Sequence, residues 1–383
     1  MMNFEKFLLN SLKSLEIKEL KRNRLILKEN IINFSSNDYL GLKDNPITKE
    51  NLCKNIKNLS LGSGASTHIS GYTEIQKKLE EKLSSFKETE NCIVVGSGYL
   101  ANVGLISAIT TEKDIIFSDS LNHASIIDGI RLSKAKKVIY KHNNIEDLEE
   151  KIKKEKVNGN RFIITDGVFS MEGDIAKLDK LYEIAEKYDA VLIIDDAHST
   201  GILGEGKGSL FHFGLKPNKR VVQMGTLSKA VGSYGSFICG TNLLIDYLVN
   251  KMRTAIFTTA LSPIQNFISL ENLKILINQP ERRKDVLQKA KYLYEKLKER
   301  EFNIKYYGVP IISLILNTPE RAIYYRDKLL EKGFFVQAIR PPTVPEGECR
   351  LRITLSYNHK YEEIENLIKA LKEVQDEEIN RKN

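Results

Sequence analysis

Between residues 90 and 240 one pattern recurs seven times: a short run of consecutive apolar residues, then a stretch with helical periodicity. The runs are Cys92–Val95, Asp114–Phe117, Lys137–Tyr140, Phe162–Thr165, Val191–Ile194, Val221–Val222 and Ser236–Cys239. A strand with one wet face alternates apolar and polar residues. A run that is apolar at successive positions must be covered on both faces, and the intervening helices are the available covers. This predicts an α/β fold built on a large, mostly parallel seven-stranded sheet. After about residue 280 the order becomes helix (282–300), strand (309–316), helix (320–332), strands (334–339 and 351–355) and a last helix (360–375), the pattern of a smaller C-terminal α+β domain. A helix around 261–277, opened by Ser262-Pro263, joins the two. The expected division is an N-terminal helix and arm over 1–45, a large α/β domain over 46–280 and a small domain over 281–383.

Composition narrows the class. At 383 residues the chain is too long for one growing core, and 42% hydrophobic residues without low-complexity tracts exclude disorder as the main state. The net charge is +8, but the basic residues are interspersed with Glu and Asp on helical stretches, so they read as solvated faces and imply no nucleic acid. Cys53, Cys92, Cys239 and Cys349 are far apart and form no CxxC pair, which suggests neither a disulfide framework nor a zinc site and fits a reducing cytoplasm. Phe4, Phe7, Leu8, Leu12 and Leu15 form a helical stripe broken up by charged residues, unlike a signal peptide. No run approaches the roughly 18 to 20 apolar residues that span a bilayer, so no membrane role is expected.

Ligands of an open α/β sheet bind beyond the carboxyl ends of its strands. Three strand ends stand out. Gly96-Ser97-Gly98-Tyr99-Leu100-Ala101 follows the first run and opens a helix. With Asp119 at the end of the next strand its spacing suits a dinucleotide. The backbone N–H groups of Gly98 and Tyr99 would equally hold a single phosphate ester, and an ordinary turn has the same look. Asp195-Asp196-Ala197-His198 ends the fifth run. Buried carboxylates are costly unless they meet a cation or a protonated heterocycle, and a metal is the rival occupant, although no further ligand cluster supports one. The third is Thr226-Leu227-Ser228-Lys229, where burial would lower an amine's pKa and make Lys229 a Schiff-base former, against the usual expectation that a lysine is solvated.

Together the three select pyridoxal phosphate, which needs a lysine for its aldehyde, a carboxylate for its pyridine nitrogen, and amides or hydroxyls for its phosphate. A dinucleotide would leave Lys229 and Asp195 without a task. With these residues in hand the chain resembles the α-oxoamine synthases, fold-type I pyridoxal-phosphate transferases, from about Leu20 to the last helix. The matching segments are Asn33–Leu42, Gly62–Gly71, Asn122–Ser125, Gly167–Asp174, Asp195–His198 and the Lys229 motif.

The resemblance implies roles. Lys229 carries the cofactor and Asp195 faces the pyridine N–H, while His198 and Ser170 bond the phenolate region. Gly98, Tyr99, Thr226 and Ser228 bind the phosphate. His123 stacks on the ring and is placed to bond the thioester oxygen, and Asp196 is structural. Asn37 and Ser66 line the site, although Ala65-Ser66-Thr67-His68 departs from the family's usual glycine-and-arginine version of that loop. Ala338–Pro345 is similar to the branch that serves biotin biosynthesis by joining L-alanine to a pimeloyl thioester, carried on coenzyme A or acyl carrier protein. On that likeness Arg340 holds the alanine carboxylate, and Thr343 and Arg22 contact the acyl substrate. Phe257-Thr258-Thr259-Ala260 resembles a segment that reaches a neighbouring subunit's phosphate, which implies a homodimer. The competing readings are another specificity of the same family, such as glycine with acetyl-CoA, then a nicotinamide oxidoreductase, then a non-catalytic binding protein.

Overall fold

The computed structural model describes residues 2–382. All seven runs lie in one sheet: β1 (Asn91–Val95), β2 (Ile115–Asp119), β3 (Lys136–Tyr140), β4 (Arg161–Asp166), β5 (Ala190–Asp195), β6 (Val221–Thr226) and β7 (Ser236–Gly240), in the order β1-β7-β6-β5-β4-β2-β3. Only β7 opposes the common direction; it pairs antiparallel with both β1 and β6.

Successive side chains of a strand point to opposite faces, and each face has its own core. Ile116, Phe162, Ile164, Ile193 and Val222 pack on one side with Leu105 and Ile106 of the helix Gly98–Ile109 and Ile126 of the helix Ala124–Leu132. Ile115, Phe117, Ile163, Leu192 and Ile194 pack on the other with Leu148, Leu181 and Leu210. This is why the runs of the inner strands are apolar at successive positions, whereas the edge strand β3 is largely exposed. The chain passes from β2 outward to β3, then returns to β4 on the opposite side and continues through β5 to β6. Strand order therefore reverses between β2 and β4, the place where an open sheet leaves a crevice at its carboxyl edge. Asp119, Asp166 and Asp195 are the last residues of β2, β4 and β5 and stand along that edge.

This sheet belongs to a compact unit of Asn37–Ser170 and Asp174–Asp285. A second unit comprises the stretch ending at Ser36, Met171–Gly173 and the stretch beginning at Val286. Its sheet has the order β10-β11-β9-β8, from β8 (Ile304–Tyr306), β9 (Ile311–Asn317), β10 (Gln337–Ile339) and β11 (Cys349–Thr354), antiparallel throughout. The run expected as one strand over 334–339 is divided at Val336. Phe334–Phe335 pairs parallel with Ile32–Asn33, while β10 pairs with β11. The helix Asn3–Ile17 buries none of its residues and leaves Phe4, Phe7 and Leu12 exposed. Among the described residues no helix is long and apolar enough to cross a membrane.

Candidate functional site

Asp195 is buried, and its carboxylate has only neutral partners: Oδ2 accepts from Asn102 Nδ2 at 2.7 Å and Oδ1 from the Ala197 amide at 2.9 Å. No Lys or Arg ion pair reaches it among the described residues. Asn102 comes from the helix Gly98–Ile109, where it is buried among apolar neighbours, and its second amide hydrogen goes to Ser125 Oγ at 2.9 Å. Ser125 Oγ is 2.8 Å from His123 Nδ1, and the Ser125 amide donates to the same nitrogen at 3.2 Å. Because Nδ1 accepts that amide, the neutral ring carries its proton on Nε2. A continuous chain thus runs from Asp195 through Asn102 and Ser125 to His123.

His123 is exposed as a residue, yet enclosure of the ring between strand ends lowers its pKa; the charge of Asp195 pulls it up and that of Lys229 pushes it further down. These opposing influences bring the ends of β5 and β6 to bear on one imidazole, which stays neutral near pH 7. Its backbone is fixed from β4: the His123 amide donates to Asp166 Oδ2 at 2.7 Å, and Asn122 Oδ1 accepts from the Asp166 amide at 3.0 Å. Burial, followed by the neighbouring charge of Asp195, raises the Asp166 pKa well above the usual carboxylate range.

Lys229 is half-buried in a tight loop after β6. There the Gly232 amide donates to the Lys229 carbonyl at 2.8 Å, and the Ser233 amide donates to the Leu227 carbonyl at 2.8 Å. Thr226 Oγ1 lies 2.7 Å from Ser228 Oγ and donates to the Gly235 carbonyl at 3.0 Å. Ser97 caps the helix that begins at Gly98 by accepting from the Leu100 amide. A Cβ placed on Gly98 would meet nothing within 4 Å, so the helix start is open to a ligand's approach. Tyr99 is exposed, with its hydroxyl on Asp128 Oδ2 at 2.5 Å. Asp119, the residue a dinucleotide's ribose would require, is committed elsewhere: it accepts from the Leu121 amide, His142 and the Asn143 amide.

His198 is buried with Nδ1 2.7 Å from Tyr39 Oη, which donates to Asn37 Oδ1 at 3.2 Å. Ser170 is half-buried at the end of a loop tied by the Phe169 amide to the Asp174 carbonyl at 3.0 Å. Across that loop His142 bridges two carboxylates, Nδ1 to Asp119 Oδ1 at 2.9 Å and Nε2 to Asp174 Oδ2 at 2.8 Å, with its ring edge-on to Phe169. Burial alone would depress the His142 pKa, but the hydrogen bonds and charges of the two carboxylates outweigh it and raise it to about 10. Ser66 precedes the short helix Thr67–Gly71, and the Ala260 amide donates to the Ala65 carbonyl at 3.0 Å, joining this loop to the Phe257–Ala260 segment.

Asp196 turns the other way. It is fully buried against Lys87 Nζ at 2.7 Å and also accepts from the Ser209 amide at 3.0 Å and from the hydroxyls of Ser199 and Ser209. Gly208 sits against this pair with φ +122°, and any side chain there would press on both charged groups.

In the second unit Arg340 directly follows β10, buried, and donates to the Glu19 carbonyl. Arg22 donates to Thr343 Oγ1 at 3.3 Å. Both arginines line one cavity of about 640 Å³. Arg340 has its pKa lowered, first by burial and then by the charges of Arg326 and Arg22.

A buried carboxylate with neutral donors, a half-buried lysine, a neutral imidazole and an open helix start suit a phosphorylated heterocycle with a protonated ring nitrogen and an amine-reactive aldehyde. The sequence pointed to Lys229, Asp195, His123, Thr226 and Gly98, and the structure gathers them at one sheet edge. Asn102 and Tyr39 went unnoticed. Asn102 had left a signal, one amide inside an otherwise apolar helix.

Comparison with known proteins agrees with this chemistry. Residues 29–371 match the family model of class I and II aminotransferases. The chain is 47% identical to 8-amino-7-oxononanoate synthase of Lysinibacillus sphaericus, over 89% of this chain and 88% of that one. The solved structure of 8-amino-7-oxononanoate synthase from Francisella tularensis superposes with a TM-score of 0.78 at 32% identity, covering 91% of this chain and 99% of that one. Serine palmitoyltransferase of Sphingomonas wittichii superposes with a TM-score of 0.90 at 26% identity, covering 98% of both.

Proposed function

The chain belongs to the class I and II aminotransferase family, within it to the pyridoxal-phosphate-dependent α-oxoamine synthases, and from that premise we propose that it joins L-alanine to a pimeloyl thioester. The products are 8-amino-7-oxononanoate, CO2 and the free thiol, a step of biotin biosynthesis. The observation that carries this reading is Asp195, a buried carboxylate without a cation on the edge where Lys229 and His123 converge.

Bound pyridoxal phosphate supplies an aldehyde that condenses with amines and a protonated ring that accepts the electron pair left at a neighbouring carbon. Asp195 keeps that ring nitrogen protonated, and Asn102 fixes the carboxylate's orientation. Lys229 would hold the cofactor through its amine and, when not so engaged, would be the base placed to move the proton at the alanine Cα. His123 Nε2–H would donate to the thioester oxygen as negative charge grows there, and its neutral ring would not repel a protonated pyridine. The Gly98 and Tyr99 amides with Thr226 and Ser228 hold the phosphate, while Ser170 and His198 hold the phenolate side. Arg340 orients the alanine carboxylate through a two-pronged contact. Thr343 and Arg22 meet the acyl substrate, and Asn37 lines the site. The protein works as a cytoplasmic homodimer, with Phe257–Ala260 at the subunit boundary.

The experiment is a thiol-release assay with alanine and pimeloyl-CoA, paired with borohydride trapping and peptide mapping. Thiol release with the trapped cofactor on the Lys229 peptide is expected. A label on another lysine overturns the assignment of Lys229, and thiol release only from glycine with acetyl-CoA overturns the substrate.

A further inference from the structure

Five basic side chains and three acidic ones line the 640 Å³ cavity of the second unit; Lys21 pairs with Glu16 at 3.2 Å, while the guanidinium groups of Arg22, Arg326 and Arg340 are poorly neutralised. Arg340 meets only a backbone carbonyl and Arg22 only a hydroxyl; no carboxylate pairs with either among the described residues. Arg326 pairs with Asp327, its chain neighbour, at 2.7 Å, but that carboxylate is half exposed and contributes little neutralisation. A buried guanidinium without a counter-charge is unfavourable until an anion arrives, and here three guanidinium groups repel one another around one space. Alanine brings a single carboxylate, which Arg340 accounts for. The same cavity also has an apolar lining, formed by Ile323, Leu330 and Phe335. A cluster of guanidinium groups beside hydrocarbon suits a second anionic group carried on a methylene chain.

We propose that Arg326 is a specificity-determining residue that, with Arg22, binds the free carboxylate at the far end of the acyl chain, whose methylenes lie along Ile323, Leu330 and Phe335. The inference rests on the function proposed above and goes beyond it by naming what separates a dicarboxylic acyl donor from a plain fatty one. Arg326 lies on the exposed-to-half-buried face of the helix Pro319–Glu331, away from that helix's buried Ala322, Tyr325 and Leu329. Replacing it should therefore leave folding intact.

The test compares pimeloyl-CoA with heptanoyl-CoA, which differ only by carboxylate against methyl, in the native holoenzyme, Arg326→Gln and Arg326→Lys. The native protein should prefer pimeloyl-CoA by about tenfold or more in kcat/KM, Arg326→Gln should lose most of that preference through KM, and Arg326→Lys should keep part of it. Calorimetry adds a readout independent of turnover: pimelate should bind the native holoenzyme more tightly than heptanoate, and Arg326→Gln should erase the difference. A preference unchanged in Arg326→Gln, or absent from the native protein, overturns the assignment while leaving the condensation itself in place. No thiol release from alanine with either thioester would instead remove the functional reading and this one with it.

Discussion

Asp195 and Asp196 are adjacent and both buried, yet one meets a lysine and the other only neutral donors. The second unit holds the same contrast in opposite sign. Arg350 is fully buried and paired with Glu172 and Glu348, while Arg340, ten residues earlier, pairs with no carboxylate among the described residues. A charge the fold uses for its own architecture is neutralised by the chain. A charge left unneutralised in a well-packed interior is held ready for something that comes from outside, and its burial cost is tolerated because ligand binding offsets it.

The contrast can be broken most forcefully at the closed pair. Lys87→Met leaves Asp196 buried without its counter-charge, and should cost about 3–5 kcal/mol in denaturant unfolding, with Asp196→Asn added on top recovering part of it. A loss under about 1 kcal/mol would mean that Asp196 is not held by Lys87. The open carboxylate should behave in reverse. Asp195→Asn is expected to lower turnover about a hundredfold or more while leaving the apoprotein's unfolding midpoint unchanged or higher. A destabilised apoprotein would place Asp195 with the architectural charges.

His142 tests whether a compensated cluster shows in pH dependence. Its pKa in the folded protein, about 10, lies above the ordinary imidazole value near 6.5. The bridge to Asp119 and Asp174 therefore contributes fully below about pH 6.5 and fades as pH rises through about 10. Thermal melts should record a loss of about 1–3 kcal/mol over that window, after allowance for the ring's partial exposure, and His142→Asn should flatten it. A wild-type curve as flat as the variant's would contradict the bridge. The smallest effect belongs to the open cation: Arg340→Gln should raise the KM for alanine about tenfold with little change in unfolding. An unchanged KM would move the alanine carboxylate to another group.

The sheet was legible because its inner strands are apolar on two faces, a pattern no solvated strand shares, and its largely exposed edge strand β3 was legible from Val138, Ile139 and Tyr140. β8 was not, since Ile304–Tyr306 is short and only half-buried. The break at Val336 also escaped notice, because an apolar run does not say that its two halves pair with different partners. At the site, Asp195 and Lys229 could be read from their places at strand ends, where a polar residue interrupts an apolar run. Tyr39 and Lys87 could not, since each owes its role to a partner more than a hundred positions away. Arg326 is the extreme case: on a charged helix it looks like any solvated arginine until the cavity beside it is seen.

The two-sided packing of β5 makes its length critical. Because neighbouring residues of a strand serve opposite layers, deleting one residue from Val191–Ile194 would exchange the layers along the whole segment and present Asp196 where Asp195 now stands. The carboxylate built to clasp Lys87 would then face the cofactor's side, and the one meant for the cofactor would take Ile194's place in an apolar layer. Side-chain changes along this strand can drift within hydrophobic limits, but its residue count is a fixed quantity, and insertions or deletions there should be far less tolerated than any single replacement.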